Sequence, residues 1–183
     1  MFFTYFRNLV ILNIWGMLLG NQQQTNINNS SEQNDEWIVQ LLSNNQYVEA
    51  YRLMKSEPPK KLSTLFNSAI CMLFIEEYEQ CLHSLDEALA KLQPKPADNS
   101  PKEDRYRKLE RMQSADSSYL QGITDRYVRH FPDMVKNNIL RVKIDCYRAL
   151  SQWSKVLELA AQLGSHNYLN VENAVDEAQA HIK

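Results

Sequence analysis

The chain has 183 residues, enough for one well-buried core, and its 44% hydrophobic and 23% charged residues are ordinary for a globular protein. A net charge of −2 supplies no broad field for nucleic acid or an acidic membrane surface. Four glycines and six prolines, against plentiful Leu, Ala, Glu, Lys and Gln, leave too few turns for an all-β fold and favour an all-α one.

Residues 1–20, MFFTYFRNLVILNIWGMLLG, are the most apolar stretch, with Arg7 the only charge. A signal peptide has the basic start and the apolar run it needs here, but Leu18 and Gly20 make a poor cleavage site. A membrane anchor needs ~20 apolar residues, which this segment barely reaches. Two soluble readings stand beside these: a true translation start at Met17, or a helix that packs on the rest of the chain. Residues 21–34 hold a single apolar side chain, Ile27, and are expected to form a flexible Asn/Gln-rich tether. The folded domain is therefore placed at 35–183, entered through Ser30 or Ser31 as a cap with Glu32 and Asp35 at the positive end of the helix dipole.

Amphipathic stripes then follow in pairs. Ile38, Leu41 and Leu42 define a first helix, Ser43-Asn44-Asn45 a turn, and Tyr47, Ala50 and Met54 a second helix that must stop at Pro58-Pro59. Leu65, Ala69 and Met72 are spaced i, i+4, i+7, as are Cys81, Leu85 and Ala88, so two stripes face each other across a tight turn before Pro94. Ser100-Pro101-Lys102-Glu103 reads as a capping box opening a helix over 101–113, and Tyr119, Ile123 and Tyr127 mark a further helix that ends before Phe131-Pro132. Leu140, Ile144 and Tyr147 pair with Trp153, Val156, Ala160 and Leu163 around the turn Ser151-Gln152, and Gly164 stops the second helix. Val171, Ala174, Val175, Ala178 and Ile182 share one face of a last, solitary helix.

The span from Leu65 to Pro94 resembles a tetratricopeptide repeat. Ala69 and Cys81 fall at the family's small positions, Tyr78 opens the second helix, Ala88 matches the alanine near its end, and Pro94 lies one residue past the closing proline. Ser68 and Leu65 depart from the usual leucine and tryptophan. The resemblance implies about three degenerate repeats, at 35–59, 65–94 and 138–164, with a capping helix after them. The fold expected is thus an all-α, tetratricopeptide-like helical hairpin array, an α-α superhelix, with an inserted helical segment.

The resemblance also implies a task. Arrays of this family bind a peptide or protein segment in a concave groove lined by their first helices. The family's groove positions fall here on Ser63, Phe66, Asn67, Ile70, Leu73 and Phe74, and in the third hairpin on Asn138, Arg141, Val142, Asp145 and Arg148. Arg141 and Arg148, one heptad apart, suit a partner's carboxylate or an internal acid. The central helix is apolar on nearly every side, so something must cover Phe66, Ile70 and Phe74: the insertion, the N-terminal segment or an apolar partner segment. The expected function is a non-catalytic adaptor for a protein or peptide, with a chaperone for a secreted or aggregation-prone client as the alternative.

Other constellations point to solvated or core roles. Lys102, Arg105, Arg107, Lys108 and Arg111 alternate with Glu103, Asp104 and Glu110, the pattern of a solvated helix face rather than a phosphate site. His83, His130, His166 and His181 occur singly, and no HExxH, GxSxG, phosphate loop or glycine-rich dinucleotide turn is present. No metal, cofactor or catalytic residue is therefore expected. Cys71, Cys81 and Cys146 sit at core-like positions without CxxC spacing, which fits a reducing compartment; the expected location is cytoplasmic, or membrane-anchored or exported if residues 1–20 direct it.

Overall fold

The computed structural model describes residues 33–56, 61–93, 104–164 and 168–182, and all regular structure among them is helical. Among the described residues nine α-helices follow in order: α1 (33–43), α2 (Tyr47–Lys55), α3 (Leu62–Phe74), α4 (Tyr78–Lys91), α5 (Asp104–Ser114), α6 (Asp125–His130), α7 (Pro132–Ala149), α8 (Trp153–Leu163) and α9 (Leu169–Ile182). A short 3-10 turn, Ser118–Leu120, lies between α5 and α6. The apolar segment 1–20, nearly all of the tether, Pro58-Pro59, Pro94, the capping box at Ser100-Pro101-Lys102-Glu103 and His166 lie outside the described residues. The first two described positions, Gln33 and Asn34, are already helical, so α1 begins slightly before the expected boundary at Asp35. Among the described residues no helix is long and apolar enough to cross a membrane.

The pairs α1/α2, α3/α4 and α7/α8 are closed by the same turn. Asn45, Glu76 and Ser151 take positive φ of 59°, 63° and 56°. The residue after each has nearly one conformation: Gln46 at φ −89°, ψ 62°, Glu77 at −82°, 63°, and Gln152 at −88°, 66°. In each case its N–H donates to the carbonyl five residues back, Gln46 to Leu41, Glu77 to Met72 and Gln152 to Tyr147, at 2.8, 3.0 and 2.8 Å. That is the Schellman closure, which satisfies the last carbonyls of the first helix and reverses the chain. Tyr47, Tyr78 or Trp153 then opens the second helix. An internal structural repeat is therefore present although the intervals between its copies, 31 and 75 residues, are irregular.

Burial follows the stripes read from the sequence. Ile38, Leu41 and Leu42 of α1 pack on Ala50 and Met54 of α2 and on Cys71 of α3. Leu65, Phe66, Ala69 and Ile70 of α3 meet Cys81, Leu85 and Ala88 of α4 and Val135, Ile139, Val142 and Cys146 of α7. The other side of α7, Leu140 and Ile144, packs on Val156, Leu159 and Leu163 of α8 and Val171, Ala174 and Ala178 of α9. Small side chains, Ala50, Ala69, Cys81, Ala88, Ala174 and Ala178, are fully buried where helix backbones approach one another. Val175 is only partly covered and Ile182 is exposed, so the last turn of α9 does less than its periodicity predicts.

The insertion departs most from expectation. Helix α5 matches the helix predicted over 101–113 where it is described. The predicted second helix through Tyr119, Ile123 and Tyr127 does not form: Tyr119 lies in the 3-10 turn, Gly122 to Thr124 are non-helical, and only Tyr127 is in α6. Two features break it, one local and one tertiary. Thr124 accepts a hydrogen bond from the Tyr127 N–H at 3.1 Å and caps α6, fixing its start at Asp125. Gly122 passes so close to α1 that a Cβ there would sit 2.8 Å from Leu42 Cδ1 and 3.3 Å from Val39 Cα. Residues 115–124 thus form an irregular strap across the body rather than a helix.

Candidate binding face

The face formed by α3 and α7 carries most of the residues singled out from the sequence, and the strap lies on it. Ser63, Phe66, Asn67 and Ile70 of α3 are all buried. Asn67 makes the central contact. Its Nδ2 donates to the Ile123 carbonyl and the Ile123 N–H donates to its Oδ1, both at 2.8 Å. One side-chain amide thereby satisfies both backbone groups of a residue that has left the helical ladder. Ile123 itself drops into the α3/α4/α7 core.

An acidic knot fixes the C-terminal end of the strap. The Asp125 N–H donates to Asp35 Oδ2 at 3.1 Å, and the Ser63 hydroxyl donates to the Asp125 carboxylate. Lys61 bridges the two acids, 3.5 Å from Asp35 and 3.1 Å from Asp125. Burial raises the Asp35 carboxyl above the usual carboxylate range, with the Asp125 N–H and Lys61 acting against that rise.

Tyr119 and Arg141 hold the other end. The Arg141 guanidinium lies between two aromatic rings, 3.9 Å from the Tyr119 centroid and 4.4 Å from that of Tyr168. Its Nε donates to Asn170 Oδ1 at 2.9 Å, and Nη2 donates to the carbonyls of Asp116 at 3.1 Å and Ser114 at 3.5 Å. Tyr119 donates its hydroxyl to Asp145, whose other oxygen accepts from Asn170 Nδ2 at 3.1 Å. Burial is the main reason the Asp145 carboxyl titrates above its ordinary value; the Tyr119 and Asn170 hydrogen bonds and the positive charge of Arg141 oppose it. The Tyr119 phenol is likewise pushed up, first by burial and then by the Asp145 charge.

Of the three side chains for which the sequence demands a cover, Phe66 and Ile70 share a buried cluster with Tyr119 and Ile123 of the insertion, whereas Phe74 is left outside. Phe66, Asn67, Ile70 and Arg141 are covered by the chain itself, so they are closed to a partner while the strap is in place. Arg141 is committed to internal carbonyls, aromatic rings and Asn170 rather than to a free carboxylate. Leu73 and Asn138 are half-buried. Phe74 is 49% exposed and stacks on Tyr47 with ring centroids 4.4 Å apart, next to Ile75 at 66% exposure. Arg148 is exposed and paired with Glu177 of α9.

Beyond Tyr119 the same face opens into a cleft of ≈ 500 Å³ between α7 and α9, lined by Tyr119, Asp145, Arg148, Asn170, Asn173 and Glu177. Asp145 forms a shielded acceptor, and Arg148 with Glu177 places both signs of charge at the wall. Such a lining suits the mixed donors and acceptors of a peptide backbone with polar side chains. Family models, curated proteins and solved structures give no match to this chain.

Sequence reasoning did not single out Asn170, Asn173 or Glu177. They belong to the polar side of α9, where nothing local distinguishes a cleft wall from a solvated helix face. The sequence pattern marks Tyr119 only as a helix position.

The remaining motifs have structural partners. His83 Nε2 lies 3.1 Å from Glu87 Oε1 on the exposed side of α4, an i,i+4 pair the sequence reading passed over, and His181 stacks on Trp153. The three cysteines are free and buried, with Cys81 Sγ 3.4 Å from Cys146 Sγ. Among the described residues no three metal-ligating side chains converge.

Proposed function

We propose that the protein is a non-catalytic, tetratricopeptide-like adaptor whose helix face binds an extended peptide or protein segment. The observation that carries this reading is the strap itself. The face holds a non-helical piece of chain through side-chain bonds to its backbone, Asn67 to Ile123 and Arg141 to Ser114 and Asp116, and continues into an open polar cleft. Groups that pair with backbone bind chain as such; pockets beside them select side chains. The repeated Schellman turn supports an array of equivalent hairpins, the architecture in which such a face arises.

The partner enters at the cleft beside Arg148 and Asn173. Affinity capture of native partners with the wild-type chain and with Arg148→Ala/Asn173→Ala tests this. Loss of a specific partner from the variant at unchanged helicity supports the reading; equal recovery of every specific partner refutes it.

A chaperone is the second reading, and the exposed cluster at the ends of α2 and α3 favours it. Tyr47 and Phe74 stack there, with Val48, Tyr51 and Ile75 exposed beside them. Coexpression separates the readings: a chaperone's client becomes insoluble without it, whereas an adaptor's partner stays soluble.

A further inference from the structure

The strap is held as a receptor holds a peptide. Its backbone is gripped at both ends by side chains that pair with main-chain groups: Asn67 at Ile123, and Arg141 at Ser114 and Asp116. Side-chain identity is read most strongly at Tyr119 and Ile123, with Leu120 packed on the same core and Gly122 held to a residue without a Cβ by its approach to α1. Ile123 is buried in the core cluster that also holds Phe66, Ile70 and Val142, and Tyr119 is sunk with its ring on Arg141 and its hydroxyl on Asp145.

On its N-terminal side the strap adjoins a loosely packed helix. It is joined to α5, which packs extensively on no other described helix and leaves Leu109 and Met112 61% and 63% exposed. At the other edge of Tyr119 the ≈ 500 Å³ cleft gives an incoming chain a place to start.

We propose that the α3/α7 face is a receptor for a partner segment carrying a tyrosine followed four residues later by a branched aliphatic residue, and that the strap is its resident occupant, exchanged for that segment on binding. The spacing is that of Tyr119 and Ile123. At the second position the partner's backbone must be free of its own helical bonds, because Asn67 claims both groups there. This proposal rests on the peptide-binding reading above and names the chemistry of its partner. Being tethered, the strap competes at an effective concentration in the range of about millimolar, so a free segment gains access mainly when the strap is weakened or the segment is itself delivered at high local concentration.

The test uses a fluorescein-labelled synthetic peptide with the sequence of residues 114–125 and the full chain. Fluorescence anisotropy should show the peptide binding Tyr119→Ala/Ile123→Ala at least about tenfold more tightly than wild type, with the gain lost when Asn67→Ala is added or when the peptide's isoleucine is replaced by serine. A folded double variant that binds the peptide no better than wild type overturns the proposal. Should the cleft residues Arg148 and Asn173 still govern partner capture in that case, the adaptor reading stands and the tyrosine-aliphatic partner is removed. Hydrogen exchange on the wild-type chain decides the matter without any variant. The Ile123 amide should exchange at least about tenfold faster than the α3 amide of Ile70, through local release of the strap; equal protection shows that the strap opens only with the whole fold and overturns the proposal.

Discussion

Replacing Asn67 with alanine removes the one side chain that satisfies the strap's backbone. The bonds lost are both 2.8 Å long and both buried, and Ile123 retains no helical partner to replace them. Each buried backbone group left unpaired costs about 1–3 kcal/mol, so the pair should cost about 2–6 kcal/mol, a large share of the ~5–15 kcal/mol that holds an ordinary domain together. Urea unfolding followed by far-ultraviolet circular dichroism measures it, the midpoint falling while the slope stays close to wild type. A loss below about 1 kcal/mol refutes the reasoning, since it would mean that water satisfies Ile123 and the strap is not closed over Asn67.

Asn67→Asp sharpens the same test. The introduced carboxylate still accepts from the Ile123 N–H but faces the Ile123 carbonyl with no proton to share. Protonation restores a donor, so the folded state raises that carboxyl's pKa. Its stabilising contribution is present below the ordinary carboxylate value of about 3.9 and is lost as pH rises through the raised folded value. The variant should therefore approach wild-type stability as pH falls toward about 4 and diverge from it toward neutrality. A pH-independent deficit would contradict this assignment of donor and acceptor.

The other predictions concern the turns, the buried acid and the thiols. Glu76→Gly should stabilise the protein by about 0.5–1 kcal/mol in the same urea assay, because a non-glycine residue is held there at φ 63°; a destabilising effect would count against the left-handed turn. Burial raises the Asp145 carboxyl, so its contribution to stability is greatest below its unfolded value near 3.8 and is lost as pH rises through the folded value. The stability difference between wild type and Asp145→Asn should accordingly favour wild type most in acid and shrink toward neutral pH; a difference that grows with pH would refute the assignment. Burial pushes the Cys71 thiol up to about 11, and the Cys146 thiol is raised by its hydrogen bond to Cys81 and by burial. A thiol reagent at pH 8 should leave the folded protein unlabelled over minutes and label Cys71, Cys81 and Cys146 in denaturant; rapid labelling of the native chain would contradict their burial.

Helix positions and facing stripes were legible because amphipathic spacing is a local property. Ile38, Leu85, Ile144 and Val156 are buried where a 3.6-residue period places them, and the turns at Asn45 and Ser151 fall where polar residues interrupt it. The same period misled at Tyr119, Ile123 and Tyr127. Their spacing fits one helix, yet Gly122 against α1, the Thr124 cap and the pull of Asn67 on Ile123 compete with the helical ladder and prevail. The Thr124 cap is local, but Asn67 lies fifty-six residues from Ile123 and α1 is farther still from Gly122, and no local pattern weighs those two.

The sequence by itself determined an all-α fold class, the hairpin pairs, their small contact residues and the expectation of a cover over Phe66, Ile70 and Phe74. Only the tertiary structure decided that the cover is the chain itself, with strap residues joining α4 and α7, that Phe74 stays outside it, and that Arg141 faces inward while Arg148 faces a cleft. The division has one physical cause. Which side of a helix is apolar depends on neighbours three and four residues away, whereas what lies over that side depends on the path of a distant segment and on the few polar groups able to satisfy its backbone.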